Sequence, residues 1–428
     1  MLNLTLAAAL VASTPQSTAA ALAAAHPPMA ADGIDPDAAA RIERILAETP
    51  LIDGHNDLPI ALRFRANRAI DDLEADTPYM TDIEGMHAGR VGAQMWSVYI
   101  SANTTGDEAI RTTIDQIDIV DRLVEAYPRD FGWAHDADEV MEVFDSGRIA
   151  SMAGIEGGHQ IGGNIAALRQ FKRLGAIYMT LTHSRTTGWA DSATDDPVHG
   201  GLSDFGKQVI REMNRVGMLV DLSHVTPDAM HDTLDVTSAP VIFSHSSARG
   251  VTDHVRNVPD DVLLRLKDNG GVVMVTFVPQ FVNADVGAWS ERRSAEIERL
   301  MEQYPMVDGQ PSEEGRAALD AWMEANPAPT ATISDVADHI EHVAKVAGYD
   351  HVGIGGDLDG ISMTVAGLDS VDDYPDLLAE LVARGWSDEN LAKLVGGNVL
   401  RVMREAEAVS RDMKRSTDPL IDMAPLED

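Results

Sequence analysis

The chain has 428 residues, no cysteine and a formal net charge of −36, from 33 basic and 69 acidic residues. This length is enough for two or three average domains, but an α/β barrel commonly takes about 250 residues or more as one unit. The excess of negative charge opposes binding to nucleic acid or to anionic lipid. Without cysteine, the chain has no disulfides, thiolate–zinc sites or cysteine nucleophiles, so any transition metal must be held by nitrogen and oxygen.

Residues 1–32 differ from the rest because they are rich in alanine and nearly free of charge. The apolar run from Leu2 to Ala12 has the length of a signal-peptide core rather than of a membrane span, and small residues suited to a cleavage site follow. No Lys or Arg precedes the run, so a disordered tail is the alternative. We expect a signal peptide over 1–32 and a periplasmic or secreted protein without a stable membrane anchor.

Residues 36–412 alternate between short apolar runs and helical patterns, whereas residues 413–428 form a polar tail. Each helical pattern repeats apolar residues at helical spacing, as over 107–126, and Thr226 with Pro227 is suited to begin a helix. The predicted strands are, in chain order, 50–57, 94–100, 149–155, 176–182, 218–223, 240–244, 271–278 and 350–356.

The alternation pauses after the seventh predicted strand, between residues 283 and 329. This segment is charged and helical in composition, but Pro305, Pro311, Pro327 and Pro329 are expected to divide it into short helices. Its apolar content is too small for a core of its own. We therefore expect a helical insertion rather than a second domain.

Eight apolar runs separated by helices predict a TIM-like (β/α)8 barrel, an α/β fold whose active site lies at the carboxyl ends of the strands. Six of the eight predicted strands end in side chains that can bind a metal or transfer a proton, which is more than chance placement explains. These endings are His55 and Asp57 on strand one, Glu156 on strand three, His183 on strand four, His224 on strand five, His245 on strand six and Asp357 on strand eight.

The composition of this rim favours two metal ions over one. His55 and Asp57 are two residues apart, so an extended strand directs both side chains to the same side. Three histidines and two carboxylates exceed the three protein ligands of a catalytic zinc. We expect Glu156 to bridge two ions, with His55 and Asp57 completing one site and His224 and His245 the other. Ions about 3.5–4 Å apart would hold a shared hydroxide, which is the nucleophile that a cysteine-free hydrolase needs.

Seven short motifs in order, between residues 50 and 404, resemble the renal (membrane) dipeptidase family of zinc peptidases, which has an amidohydrolase-type barrel. Each motif alone is weak evidence, but the ordered set is specific. The motifs are IDGHND at 52–57, GIEG at 154–157, LTHS at 181–184, DLSH at 221–224, SHSSA at 244–248, RNVPD at 256–260 and GGDLDG at 355–360.

The resemblance implies a role for each matching residue. It makes His55, Asp57, Glu156, His224 and His245 the ligands of two zinc ions per chain. His183 would bind the substrate and stabilise the oxyanion of the tetrahedral intermediate. Asp357 would take the proton from the bridging water and pass it to the leaving amine.

Arg256 and Asp359 are the two remaining candidates for the site. The resemblance implies that Arg256 binds the free carboxylate of a dipeptide, for which its planar guanidinium is suited; a surface ion pair is the alternative. Asp359 lies two residues beyond Asp357 and is the alternative catalytic acid, but the first acid after the strand is better placed to reach the rim. His159, His199, His254 and His351 are expected to be structural.

These observations predict a metallodipeptidase that acts on small dipeptides. The resemblance also implies tolerance of a carboxyl-terminal D-residue and allows a homodimer. Another metal-dependent amidohydrolase, acting on N-acyl amino acids or cyclic amides, is the alternative; such enzymes often carry HxH on strand one and a carbamylated lysine, whereas this chain has HxD and Glu156. A non-catalytic binding barrel is a third hypothesis, which the complete ligand set disfavours.

Overall fold

The computed structural model describes residues 34–70, 72–75, 77–304 and 311–421, so the expected signal peptide lies outside the described residues. The strands are β1 (Leu51–Asn56), β2 (Val91–Tyr99), β3 (Phe131–Trp133), β4 (Ile149–Glu156), β5 (Ala176–Thr180), β6 (Leu219–Asp221), β7 (Ile242–Phe243), β8 (Val272–Val275) and β9 (Val352–Ile354).

Helices precede β1, follow most strands and end the described chain. They are α1 (Pro36–Glu48), α2 (Leu58–Arg65), α3 (Ile83–Ala88), α4 (Gly106–Ala126), α5 (Ala137–Asp145), α6 (Ile165–Arg173), α7 (Asp204–Val216), α8 (Pro227–Val236), α9 (Asp260–Asn269), α10 (Pro279–Val282), α11 (Ala284–Gln303), α12 (Glu313–Ala325), α13 (Ile333–Val346), α14 (Tyr374–Ala383), α15 (Asp388–Ala392) and α16 (Asn398–Ser416).

The strands form one parallel sheet in the order β2-β1-β9-β8-β7-β6-β5-β4-β3. An additional pairing between β2 and β4 runs from Ala93 with Ala150 to Tyr99 with Glu156, and it closes eight strands into a barrel. The predicted (β/α)8 class is therefore confirmed, and the eight predicted strands correspond to β1, β2 and β4–β9.

The strand β3 was not predicted, because three residues with a central glycine are too short to show a period. It pairs with the first residues of β4, from Phe131 with Ile149 to Trp133 with Ser151, outside the closed barrel. The remaining strands are buried along nearly their whole length, which explains why they are continuous apolar runs rather than alternating ones.

The predicted insertion lies between β8 and β9, but its first helix is longer than expected. Helix α11 has 20 residues, since the sequence offers no proline between Ala284 and Gln303. Pro305 lies outside the described residues. The expected start of α8 is present, with the Thr226 hydroxyl accepting the Ala229 N–H at 3.3 Å. Helix α16 continues past residue 412 to Ser416.

A glycine in β4 makes room for an aromatic ring inside the barrel. A Cβ atom at Gly154 would lie 2.0 Å from Cζ of Tyr178, whose side chain on β5 is fully buried. The ring cannot move away easily, since protein interiors are close-packed. Gly154 is thus required by packing.

Replacing Gly154 by alanine should lower the free energy of unfolding by about 1–3 kcal/mol, through overpacking against Tyr178. Gly353→Ala in β9 is the matched control, because its Cβ would meet the flexible side chain of Met274 at 3.2 Å. Thermal and denaturant unfolding of both variants measure the difference. Equal losses would show that the Tyr178 ring is not the constraint.

Candidate metal centre

The carboxylate of Glu156 is the point on which the rim histidines converge. It is the last residue of β4 and only 4% exposed. Its Oε1 lies 3.1 Å from Nε2 of His224, 3.5 Å from Nε2 of His183 and 3.6 Å from Nε2 of His245. Its Oε2 lies 3.6 Å from Nε2 of His55. Residues from four different strands are thus brought around one buried anion.

The histidines explain why Glu156 can remain ionised in this position. Burial alone would raise its pKa, but the charges of His55 and His183 and a hydrogen bond from His224 hold the pKa well below its usual value. Ser97 of β2 adds a hydroxyl donor at 3.1 Å from Oε2. The group is therefore an anion over the whole neutral pH range, as a cation ligand must be.

His55 and Asp57, at the end of β1, direct their metal-binding atoms toward each other. Nε2 of His55 lies 3.6 Å from Oδ2 of Asp57. Backbone hydrogen bonds tie this exit to the exit of β9, since the Asp57 N–H donates to Leu358 O and the Asp357 N–H donates to His55 O. The two strand ends that carry carboxylates are thereby held side by side.

His224 and His245 follow β6 and β7, with 2.8 Å between their Nε2 atoms. The backbone of His224 has φ of 71°, a left-handed conformation that residues other than glycine rarely adopt. Such strain is commonly found at functional sites, where the surrounding structure maintains it. Here the His224 carbonyl accepts hydrogen bonds from the Thr182 hydroxyl and the Ala193 N–H, which hold this turn.

The donor set fits divalent metal ions. Three buried atoms in it lack hydrogen-bond partners, namely Nε2 of His55, Oδ1 of Asp57 and Nδ1 of His183, and such atoms normally cost about 1–3 kcal/mol each. Imidazole nitrogens and carboxylate oxygens are ligands that zinc-like ions accept. Three sets of ligand atoms each lie within 4.8 Å of one another: His55, Glu156 and His245; Glu156, His183 and His224; and His55, Asp57 and Asp357.

His183 is closer to Glu156 than its predicted role in substrate binding required. Its ligand atom lies within 4.8 Å of those of Glu156 and His224. Its side chain is nevertheless 21% exposed, compared with 11% for His224 and 1% for His245. The ring of Tyr99, at the end of β2, packs against it with centroids 4.7 Å apart. His183 therefore borders the metal centre on the side that is open to solvent.

Arg256 is buried, and the alternative of a surface ion pair is wrong. It is 3% exposed and donates to the Ser246 hydroxyl at 3.4 Å and to the His245 carbonyl at 3.3 Å. Its guanidinium carbon lies 5.3 Å from the ring centroid of Phe281. Burial lowers the pKa of Arg256 to about 10, although the carboxylate of Asp357 opposes that shift. Its charge is held beside the site by neutral oxygens and an aromatic ring.

Asp357 and Asp359 face different parts of the rim. Both have left-handed backbones, with φ of 63° and 64°, but only Asp357 lies with His55 and Asp57. Oδ1 of Asp359 instead accepts the Met80 N–H at 2.9 Å. Burial raises the pKa of Asp357 well above its usual value, and that of Asp359 to about 6. The geometry thus favours Asp357 as the acid at the centre.

A family model described as membrane dipeptidase, peptidase family M19, matches residues 39–417. The chain belongs to the membrane dipeptidase family. Two curated relatives agree with that assignment. A dipeptidase of Clonostachys rogersoniana is 40% identical over 391 residues, covering 88% of this chain and 89% of its own. An uncharacterized dipeptidase of Schizosaccharomyces pombe is 43% identical over 379 residues, covering 85% and 82%.

Solved structures support the fold of this membrane dipeptidase family member. A probable dipeptidase of Pseudomonas aeruginosa has a TM-score of 0.75 at 23% identity, covering 88% of this chain and all of its own. A Rhodobacter sphaeroides metallopeptidase, solved with a phosphinate mimic of L-Ala-D-Ala, has a TM-score of 0.69 at 22% identity, covering 84% and 99%. The chain is accordingly a metallodipeptidase, a hydrolase whose family implies bound metal ions. Within the described residues, no helix is both long and apolar enough to cross a bilayer.

Several residues that support the dipeptidase centre were not predicted from the sequence. Gln160 donates to the carbonyls of Val98 and Glu156 at 2.8 Å, and so fixes the end of β4. His254, expected to be structural, accepts the Arg256 N–H at 3.2 Å and packs on Phe281. Gln160 lies in a short 3-10 helix after β4 and His254 in a loop, where a single sequence shows no periodic pattern. The contact of Gln160 with Val98 joins residues far apart in the chain, so it leaves no local signal in the sequence.

Proposed function

We propose that this member of the membrane dipeptidase family is a binuclear zinc dipeptidase, which hydrolyses the peptide bond of dipeptides, including those with a carboxyl-terminal D-residue. The observation that carries the proposal is the convergence of three Nε2 atoms on one oxygen of the buried Glu156, with His55 on the other oxygen. The L-Ala-D-Ala mimic bound to the Rhodobacter sphaeroides relative supports the extension to D-residues.

In this proposal Glu156 bridges two sites. His55 and Asp57 complete the one near its Oε2, and His224 and His245 complete the one near its Oε1. Divalent ions held by these residues would supply a water molecule of lowered pKa and an electrophile for the substrate carbonyl. The ionised state of Glu156 and the unpartnered atoms of His55 and Asp57 support this assignment.

The residues around the ligands have separate tasks in the reaction. Asp357 accepts the proton of the attacking water and delivers it to the leaving amine, and its raised pKa suits a group that must both take and release a proton near neutral pH. His183 donates to the carbonyl oxygen as negative charge develops there. Its partial exposure is what allows a substrate to reach it.

Arg256 binds the carboxylate at the end of the dipeptide. A buried guanidinium whose hydrogen bonds go to neutral oxygens retains the capacity to pair with an incoming anion. Phe281 covers one face of the guanidinium and excludes water from it. Recognition of a free carboxylate next to the scissile bond restricts cleavage to the last peptide bond of a substrate, which in a dipeptide is its single bond.

We further propose that the enzyme is exported and works outside the cytoplasm on small peptides. The alanine-rich segment before residue 33 supports export. The net charge of −36 supports small substrates over nucleic acid or anionic membranes as partners.

A substrate screen tests the function directly. L,L- and L,D-dipeptides, N-acyl amino acids and cyclic amides are each offered to the zinc-loaded and to the metal-stripped protein, and product is measured by chromatography. We expect hydrolysis of both dipeptide classes, about two zinc ions per active chain by elemental analysis, and no turnover after stripping. Cleavage of N-acyl amino acids but not of dipeptides would replace the proposal by the amidohydrolase alternative.

Arg256→Ala should lower kcat/KM for a dipeptide by about 10- to 100-fold, since a charge-assisted contact to the substrate is lost. The same variant should change turnover of the carboxyl-amidated dipeptide little. Arg249→Ala is the matched control, because Arg249 lies in the same loop and bonds the carbonyls of His254 and Val255. An equal loss on both substrates would contradict the assigned role.

Asp357→Asn should lower kcat by about 10²- to 10⁴-fold while zinc content stays unchanged, since a proton carrier is removed and no ligand is. Asp359→Asn should reduce kcat far less, because the amide oxygen can still accept the Met80 N–H. Steady-state kinetics and elemental analysis compare the two. If the Asp359 variant alone loses turnover, the two aspartates exchange roles.

A further inference from the structure

We infer that Tyr178 and Ser244 are positioning residues that fix the tautomers of His55 and His245, so that each ring presents an Nε2 without hydrogen to the metal centre. The inference deepens the proposed function and rests on its metal assignment. Each of the two hydroxyls has one hydrogen to donate and two neighbouring groups that could accept it.

The hydroxyl of Tyr178 has one hydrogen and two neighbours. It donates to the carbonyl oxygen of Gly54 at 3.3 Å, and a carbonyl can only accept. Its second contact is Nδ1 of His55 at 3.0 Å. With its hydrogen directed to that carbonyl, the hydroxyl acts as the acceptor for an N–H at Nδ1 of His55. A neutral imidazole with hydrogen on Nδ1 has a lone pair on Nε2.

The Nε2 of His55 is the atom that faces the candidate metal centre. It is buried, has no hydrogen-bond partner, and lies 3.6 Å from oxygens of both Asp57 and Glu156. A hydrogen on that nitrogen would occupy the space between ring and ion. The Tyr178 contact therefore leaves the atom in the state that a ligand requires.

Ser244 makes the corresponding arrangement with His245, whose ring packs on that of His55 with centroids 3.9 Å apart. Its hydroxyl donates to Oδ2 of Asp221 at 2.7 Å and contacts Nδ1 of His245 at 2.8 Å. Asp221 acts only as an acceptor here, since it also receives the Ser223 and Ser244 N–H groups and the Thr180 hydroxyl. The hydrogen between Ser244 and His245 must consequently come from Nδ1, and Nε2 of His245 is left bare.

Both hydroxyls are held by the barrel and not by the metal. Tyr178, Ser244 and Asp221 are fully buried. The Tyr178 ring packs directly on the backbone of Gly154, in the space that a Cβ atom there would occupy. The contact of Tyr178 with His55 crosses from β5 to β1. Ser244 is the neighbour of His245 in the chain, and its hydroxyl is held from the end of β6 by Asp221. The fold thus sets the ligand tautomers before any ion arrives.

A structural role alone would predict the same hydrogen bonds, so the test must read the tautomer itself. Metal-stripped protein labelled with ¹⁵N-histidine is examined by long-range ¹H–¹⁵N correlation NMR in a series of increasing pH, continued until the ring of His55 is neutral. The series is needed because Tyr178 and Glu156 outweigh burial and raise the pKa of His55 well above its usual value. His55→Gln and His245→Gln assign the two signals. We expect the hydrogen on Nδ1 in both rings of the wild-type protein. Tyr178→Phe should move the hydrogen in His55 only, and Ser244→Ala in His245 only.

The second readout is zinc affinity, measured by competition between the zinc-loaded enzyme and a chelator. Tyr178→Phe and Ser244→Ala should each weaken zinc binding by about 10- to 100-fold. Tyr127→Phe and Ser151→Ala are matched controls, since their hydroxyls accept the Leu73 N–H and the Trp96 indole N–H away from the centre. Both should retain wild-type affinity.

Two results would overturn the inference. One is hydrogen on Nε2 of His55 or His245 in the wild-type protein, a measurement that needs no variant to fold. The other is wild-type zinc affinity in either hydroxyl variant. Neither readout uses peptide turnover, so a protein with the expected tautomers that cleaves no dipeptide would refute the proposed function and leave this inference standing.

Discussion

The structure depends on keeping one carboxylate ionised inside a barrel. Removing Glu156 from water opposes its charge, and the surrounding imidazoles reverse that effect, so that its pKa lies well below the usual value. The same imidazoles are themselves penalised by burial, which lowers the pKa of His224 and of His245. The cluster therefore combines an anion with the neutral rings of His224 and His245. His55 differs from them, because Tyr178, Glu156 and Asp57 outweigh its burial and raise its pKa well above the usual value, so a metal ion must displace a proton there.

The barrel provides this arrangement because its strands are short, parallel and closed. Each of the contributing strands ends at the same rim, and the β2–β4 pairing that closes the barrel places Tyr99 beside Glu156. Left-handed residues then turn the chain sharply at His224, Asp357 and Asp359. The strain of these turns is offset by backbone hydrogen bonds between neighbouring exits, such as that from Asp57 to Leu358.

The fold class and the rim could be predicted because both leave local marks in the sequence. A strand that stops at a histidine or an acid is visible in a few letters, and the barrel brings such stops together. The supporting residues could not be predicted in this way. Tyr178 looks like an ordinary core residue until its distance to His55 is known, and β3 is too short to produce a period. The burial of Arg256, which excludes a surface ion pair, is likewise not visible in the sequence.

The candidate metal centre and the residues that cover Arg256 beside it come from different parts of the chain. The candidate ligands lie at or just beyond strand ends, whereas the Arg256 guanidinium is covered by Phe281 of α10, immediately before the long insertion helix α11. Loops and insertions tolerate change far better than barrel strands do. Changes in the length or amino-acid composition of the segment around Phe281 and α11 can therefore alter which peptides enter the site. The residues at the strand ends can stay the same while this happens.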